Sequence, residues 1–195
     1  MKALVPCIVL VMLLLSCRKE IDPNGAVAPE IEKGYTSYII KKGAHYSNQS
    51  TFQAIETREL KFMVSFDSSA VYFSKEHINQ ADINKLYGFS DNNANHHLYS
   101  ARFGWSWINN ALHIYAYVYN DGKRNITELG TIDIGKESSC SIAVGRNSYI
   151  FTLNNKSTHL GRSINTATAK GYLLYPYFGG DEVAPHDVRI SIKNL

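Results

Sequence analysis

Short runs of alternating apolar and polar residues, each ended by turn formers, recur from Tyr35 to the end of this 195-residue chain. A period of two is the mark of half-buried strands, whose successive side chains point to opposite faces. The runs cover residues 35–42, 59–67, 98–107, 111–119, 126–134, 138–145, 148–154, 172–178 and 187–193. One segment departs from the pattern: Asp82, Ile83 and Leu86 are spaced as on a helix, which predicts one short helix or turn from about Asn79 to Leu86. Strands in this number with so little helix favour an all-β, antiparallel two-sheet sandwich over a parallel α/β fold. No internal repeat is visible, which argues against propellers and solenoids.

The hairpin around Asn109-Asn110 carries the most information. Two Asn can both take positive φ, as a type I′ turn requires, and that turn sets the strand register. One face then pairs Trp107 with Leu112, Trp105 with Ile114, Phe103 with Ala116 and Ala101 with Val118, and belongs in the core. The other pairs Ser106 with His113, Gly104 with Tyr115, Arg102 with Tyr117 and Ser100 with Tyr119. A slip by one residue would bury Arg102 and expose both Trp, at a cost of several kcal/mol. The next turn, Asp121-Gly122, can return a third strand and bring Glu128 near Tyr115, with a bulge between Asn125 and Asp133. In the last run, Val188, Ile190 and Ile192 alternate with Arg189, Ser191 and Lys193, so one face lies in the core.

The chain holds 13 Tyr, and three of them gather on the polar face of that hairpin beside an imidazole and a guanidinium. Such rings stack on the apolar faces of sugars, their polar tips reach hydroxyls, and Arg102 suits a carboxylate or sulfate. Arg102, His113, Tyr115, Tyr117 and Tyr119 are therefore the candidate ligand-binding residues, with a glycan as the expected ligand. The same face suits a polysaccharide lyase, in which Arg102 neutralises a uronate, His113 removes the C5 proton and Tyr117 protonates the leaving oxygen. The plain alternative is a face packed under a loop, in a structural or partner-binding protein, since Tyr also favours strands for its own reasons.

Other chemistries find little support. A net charge of +3 without a basic block gives no reason to expect nucleic acid as a partner. No strand carries acids alternating on one face, as many glycoside hydrolases need, and no Gly-x-Ser-x-Gly, phosphate loop or dinucleotide fingerprint occurs. His96 and His97 follow a polar loop containing Asp91, but adjacent residues of a strand face opposite ways, so no metal site is expected there. Gly179-Gly180-Asp181-Glu182 has two carboxylates on a tight turn and is the best place for calcium, yet it lacks the spacing of a calcium loop and reads as a connection. No cofactor is expected.

The N-terminus is a targeting segment. Lys2 precedes an apolar run from Ala3 to Leu15, which at roughly 13 residues is shorter than the ~20 that cross a bilayer. It ends in Leu14-Leu15-Ser16-Cys17, which resembles the lipobox of bacterial lipoproteins. The resemblance implies a signal peptide at 1–16, diacylglycerol on Cys17, a membrane anchor and, with Glu20 and Asp22 close behind, an outer-membrane location that can be surface-exposed. Residues 17–34, with Pro23, Gly25 and Pro29, read as a tether, and residues 35–195 as the folded domain. Of the 3 Cys, Cys140 alone then remains in that domain, so no intrachain disulfide forms and the core must supply the stability.

Four segments, Ile40–Ser47, Asp82–Asp91, Ser100–Trp105 and Tyr175–Gly180 followed by Ala184–Asp187, resemble those of uncharacterised Bacteroidota lipoproteins over most of residues 35–193. Tyr149–Asn155 also resembles the inner-sheet strand and turn of concanavalin A-like sandwiches, which are often carbohydrate modules. The resemblance implies a jelly-roll fold and a cell-envelope setting among partner lipoproteins; no catalytic residue comes with it.

Overall fold

The computed structural model describes residues 34–195. The signal peptide, Cys17 and the tether up to residue 33 lie outside the described residues. Twelve strands, numbered in chain order, form two antiparallel sheets of six. The first contains β1 (Thr36–Ile40), β3 (Glu59–Phe66), β8 (Ser138–Val144), β9 (Ser148–Leu153), β10 (Lys156–Gly161) and β12 (Val188–Asn194), in the spatial order β1-β12-β3-β8-β9-β10. The second contains β2 (Ala54–Thr57), β4 (Asn84–Ser90), β5 (Tyr99–Ile108), β6 (Ala111–Asn120), β7 (Lys123–Ile132) and β11 (Ala169–Leu174), ordered β2-β11-β4-β5-β6-β7. This is the expected jelly-roll sandwich. Both sheets recruit strands from the two ends of the chain, with β1 beside β12 and β2 beside β11.

The β5–β6 register follows from its turn. Asn109 and Asn110 have φ of 51° and 58°, and Trp107↔Leu112, Trp105↔Ile114, Phe103↔Ala116 and Ala101↔Val118 are the observed pairs. The Asp121-Gly122 turn does the same for β7, placing Glu128 opposite Tyr115, and the expected bulge appears as a register shift between Ile114 and Tyr115. Side chains of that core face meet the first sheet through edge-on and tilted rings. Phe103 packs against Phe62 at 5.6 Å and Phe151 at 5.2 Å, and Trp105 against Phe66 at 5.3 Å. Each fully buried ring is worth roughly 1.5–3 kcal/mol, and geometry of this kind adds ~1 kcal/mol per pair. Cys140 lies in this core, where burial raises the pKa of its thiol and makes it a small apolar side chain rather than a nucleophile.

The short helix or turn expected at Asn79–Leu86 is present only at its start. A short 3-10 helix, His77–Ala81, ends early, and Asn84–Ser90 is the central strand β4. Two contacts explain the outcome. The Gln80 amide donates to the carbonyls of Tyr72 and Trp107, which spends the 3-10 segment on tying loop to sheet. The Leu86–Phe89 run finds hydrogen-bonding partners on both sides, β5 and β11, and this pairing outweighs local helical spacing. Strands β2 and β10 were likewise not expected, and both are short pieces at sheet edges.

One polar cluster joins the sheets. Asp91, just past β4, is buried and accepts hydrogen bonds from the Tyr149 hydroxyl of β9 at 2.7 Å and Arg162 Nε at 2.8 Å. Its other oxygen accepts from the backbone N–H of Asn92 and of Lys170. Arg162 in turn donates to the carbonyls of Gly145, Thr166 and Thr168, so its charge is fully engaged.

Candidate functional site

The outer face of the second sheet carries a groove of about 530 Å³. Its floor comes from three adjacent central strands. Arg102 of β5 pairs with Gly88 of β4 on one side and Tyr117 of β6 on the other, and Lys85 of β4 lies with its Nζ 4.6 Å from the centre of the Tyr117 ring. Arg102 is 7% exposed, its Cζ is 5.5 Å from the same ring, and its Nε has no hydrogen-bond partner. Among the described residues, no carboxylate is in ion-pair contact with Arg102 or Lys85, and none lines the groove.

Two cations on one floor, with Asp82 as a weaker opposing charge on Lys85, shape the titration of their surroundings. Burial, aided by the charges of Arg102 and Arg124, pulls the Lys85 amine down to about 8. That amine donates to the Ile83 carbonyl. Burial also lowers the pKa of the Arg102 guanidinium, which nonetheless keeps its proton in any protein setting. Burial, with the charge of Arg102 next, takes His96 down to about 4, so this imidazole is neutral at physiological pH. Burial and the Tyr119 hydroxyl raise the Tyr117 phenol, against the effect of Arg124.

The walls are aromatic and come from distant parts of the chain. Tyr177 is bridged to Lys85 through the backbone, and its ring stacks on His45 at 5.2 Å and meets the edge of Tyr46 at 4.9 Å. At the other end, Tyr172 meets Phe52 at 5.7 Å, and its hydroxyl sits 3.0 Å from His96 Nδ1.

The five expected ligand residues share one face of the sheet but not one groove. Arg102 and Tyr117 form the floor. His113 stands outside it, with Nδ1 2.8 Å from Glu128 Oε1 and Nε2 3.2 Å from the Ile108 carbonyl, so both ring nitrogens are engaged. Tyr115 hydrogen-bonds Ser106 at 3.0 Å and lies beside His113, also outside the lining. Tyr119 stands behind the wall, edge-on to His97 at 5.3 Å. The divider is Ile83. Gly104 has no side chain, and Ile83 occupies that space, so close that a Cβ on residue 104 would fall 2.6 Å from its Cγ2. The trio Arg102, His113 and Tyr117 is therefore not assembled for a lyase step.

His96 and His97 also differ from expectation. They lie in a turn closed by a Leu98 N–H to Asn95 carbonyl bond, their rings are 4.3 Å apart, and both line the groove. Adjacent residues diverge only in an extended strand. Asp91 is spent on Arg162 and Tyr149, and no group of three or more His, Cys, Asp or Glu among the described residues is placed to hold a metal ion. In the Gly179–Glu182 turn, the Glu182 carboxylate accepts from the backbone N–H of Lys75 and Glu76 and from Asn79, and these bonds hold its pKa below the usual range. It fastens a connection.

Lys85, Tyr46, Phe52, Tyr172 and Tyr177 were not expected in the site. Lys85 fell in the presumed helix, and the aromatic walls carry no local signal that links them to β5.

No protein-family model matches the chain, and no curated protein matches it by sequence. Solved structures do match in fold. The alginate lyase AlyC3 aligns with a TM-score of 0.56 at 12% identity, over 88% of this chain and 79% of that one. SCLam, a non-specific endo-β-1,3(4)-glucanase from family GH16, aligns with a TM-score of 0.56 at 8% identity, over 83% of this chain and 70% of that one. The family 16 endo-glucanase from Bacteroides ovatus aligns with a TM-score of 0.50 at 10% identity, over 82% and 80%. At these identities the likeness is one of fold, the jelly-roll sandwich of glycan-processing proteins.

Proposed function

We propose that this chain binds an acidic glycan, such as a uronate polymer, in the Lys85–Arg102–Tyr117 groove, and that a lipid on Cys17 holds it at the cell envelope. The observation that carries the reading is the buried Arg102 guanidinium with an unpartnered Nε at the floor of an open aromatic groove. A buried charge without a counterion is unfavourable for the fold, and a ligand carboxylate over the guanidinium would supply the missing charge. Tyr and His rings around it offer stacking surfaces for the sugar. The fold shared with proteins named as alginate lyase and glucanase fits this use.

Arg102→Met separates this reading from a structural role. Retardation on polyuronate affinity gels should fall by about ten- to a hundredfold in apparent affinity, the loss of a charge-assisted pair. The same substitution should leave thermal stability unchanged or higher, because it removes an uncompensated buried charge. Unaltered retardation, or a marked loss of stability with no effect on binding, would overturn the assignment.

Lys85 adds a pH signature. Its amine is charged below about 8. An anion favours the charged form, so binding should be strongest on the acid side of that value and weaken as pH rises through it. Lys85→Gln should flatten the profile between neutral and mildly alkaline pH; an identical profile in that variant would exclude Lys85 from the contact.

Lyase chemistry is the second reading, favoured by the neutral His96 imidazole and, above about pH 8, the uncharged Lys85 amine lining the same groove as Arg102. Either group is a base in its unprotonated form, and Tyr117 is a proton donor at the floor. Incubation with uronate polymers would then raise the ultraviolet absorbance of an unsaturated product, and a flat trace over a broad panel leaves binding alone. For the anchor, Cys17→Ser should move the protein from the membrane to the soluble fraction of cells that make it. Persistence in the membrane fraction would remove the lipid from the account.

A further inference from the structure

The groove has a direction, and its two ends are alike. Tyr172 donates its backbone N–H to Ser90 Oγ, which places the Tyr172–Phe52 pair level with the last residue of β4. Tyr177 is bridged to Lys85, which places the Tyr177–Tyr46 pair level with the start of the same strand. Arg102 faces Gly88 between them. At ~3.3 Å per strand residue, less a little for the bulge, the two aromatic pairs stand roughly 15 Å apart along the sheet. The cationic centre thus has an aromatic platform on either side.

Phe52 is 74% exposed and Tyr46 69% exposed, against the buried rings of the core. Each is nonetheless held by a ring that is itself anchored. Tyr172 is fixed by His96, and Tyr177 by two backbone bonds to Lys85 and by the face of His45. Preorganised exposed rings at both rims offer apolar surface to solvent among the described residues, which is the surface a pyranose ring covers. A volume of about 530 Å³ lies within the range of sites that enclose drug-sized ligands, larger than one sugar.

We infer that the groove recognises an internal stretch of an acidic polysaccharide, with a uronate over Arg102 and Lys85 and neighbouring sugars stacked on Phe52 at one end and Tyr46 at the other. This rests on the reading of the groove as an acidic-glycan site and adds to it the ligand's length and two specificity-determining residues. A free monosaccharide acid reaches only the cationic centre; a chain reaches all three positions.

Calorimetric titration of the full chain with mannuronate oligomers, from monomer to pentamer, tests this. Affinity should climb with length and level off once both platforms are covered. Phe52→Ala and Tyr46→Ala should each weaken binding of the pentamer by about three- to tenfold, as expected for one aromatic stacking contact. The loss should shrink as the oligomer shortens and leaves the platforms uncovered. Both side chains are exposed, so their removal does not threaten the fold. Arg102-dependent binding that ignores length, or that survives both substitutions unchanged, overturns the inference while leaving the acidic-glycan site standing. If no oligomer binds and galacturonate oligomers also fail, the site assignment and the inference fall together.

Discussion

Replacing Asp91 by alanine should cost about 3–5 kcal/mol of folding free energy, the largest single loss expected in this chain. Asp91 is 1% exposed and is the sole carboxylate paired with Arg162, which is itself 3% exposed. Without it the guanidinium stays buried with only neutral carbonyl and hydroxyl partners, and the Tyr149 hydroxyl and two backbone N–H groups lose their acceptor. A domain of this size holds about 5–15 kcal/mol in total, so the variant would unfold near physiological temperature. Urea denaturation of Asp91→Ala, Arg162→Met and the double variant measures the effect. The double variant should cost less than the sum of the singles, because removing both charges leaves neither uncompensated. A single-variant loss below about 1 kcal/mol, or simple additivity, would show that the cluster does not join the sheets as described.

Gly88→Ala should be nearly as damaging, through sterics alone. A Cβ at this position would lie 2.2 Å from the Ala101 carbonyl oxygen and 2.4 Å from the Arg102 Cα. Both are backbone atoms of the neighbouring strand, so β4 and β5 must separate to admit a methyl group. Overpacking costs typically 1–3 kcal/mol, and an unyielding backbone contact at a register shift belongs at the upper end. Separation also displaces Arg102, which couples a stability defect to loss of glycan retention. The contact is not as close as described if denaturation midpoint and retardation both match the parent protein.

How far the fold was legible varies with how local its determinants are. The β5–β6 pairing rests on two Asn and ten flanking residues on each side, all contiguous, and every expected pair is present. Strand β4 was hidden for the opposite reason. A central strand covered on both faces has no alternation to display, and six of its seven residues are buried. Its start, Asp82 to Leu86, has helical spacing by coincidence, and only β5 and β11 decide otherwise. The candidate site was half legible. Arg102 and Tyr117 follow from hairpin parity, whereas the separation of His113 depends on Ile83, just ahead of β4, lying over Gly104, a contact that parity does not encode. The walls arise where residues 46–52 and 172–180 meet, and nothing in either segment announces the other.

That last arrangement bears on the order of events in folding. The groove floor belongs to residues 84–119, a meander of tight turns whose contacts are close in sequence and quick to form. The walls require Tyr46 to find Tyr177 and β2 to find β11, closing loops of more than a hundred residues against a much larger entropy. A nascent or truncated chain can therefore own the cationic floor before it owns the aromatic rims. Until the C-terminal segment docks, Arg102 and Lys85 face solvent, their charges cost little, and the chain has no specificity for what it will hold. The binding surface is complete only once residues 172–180 have been made and docked.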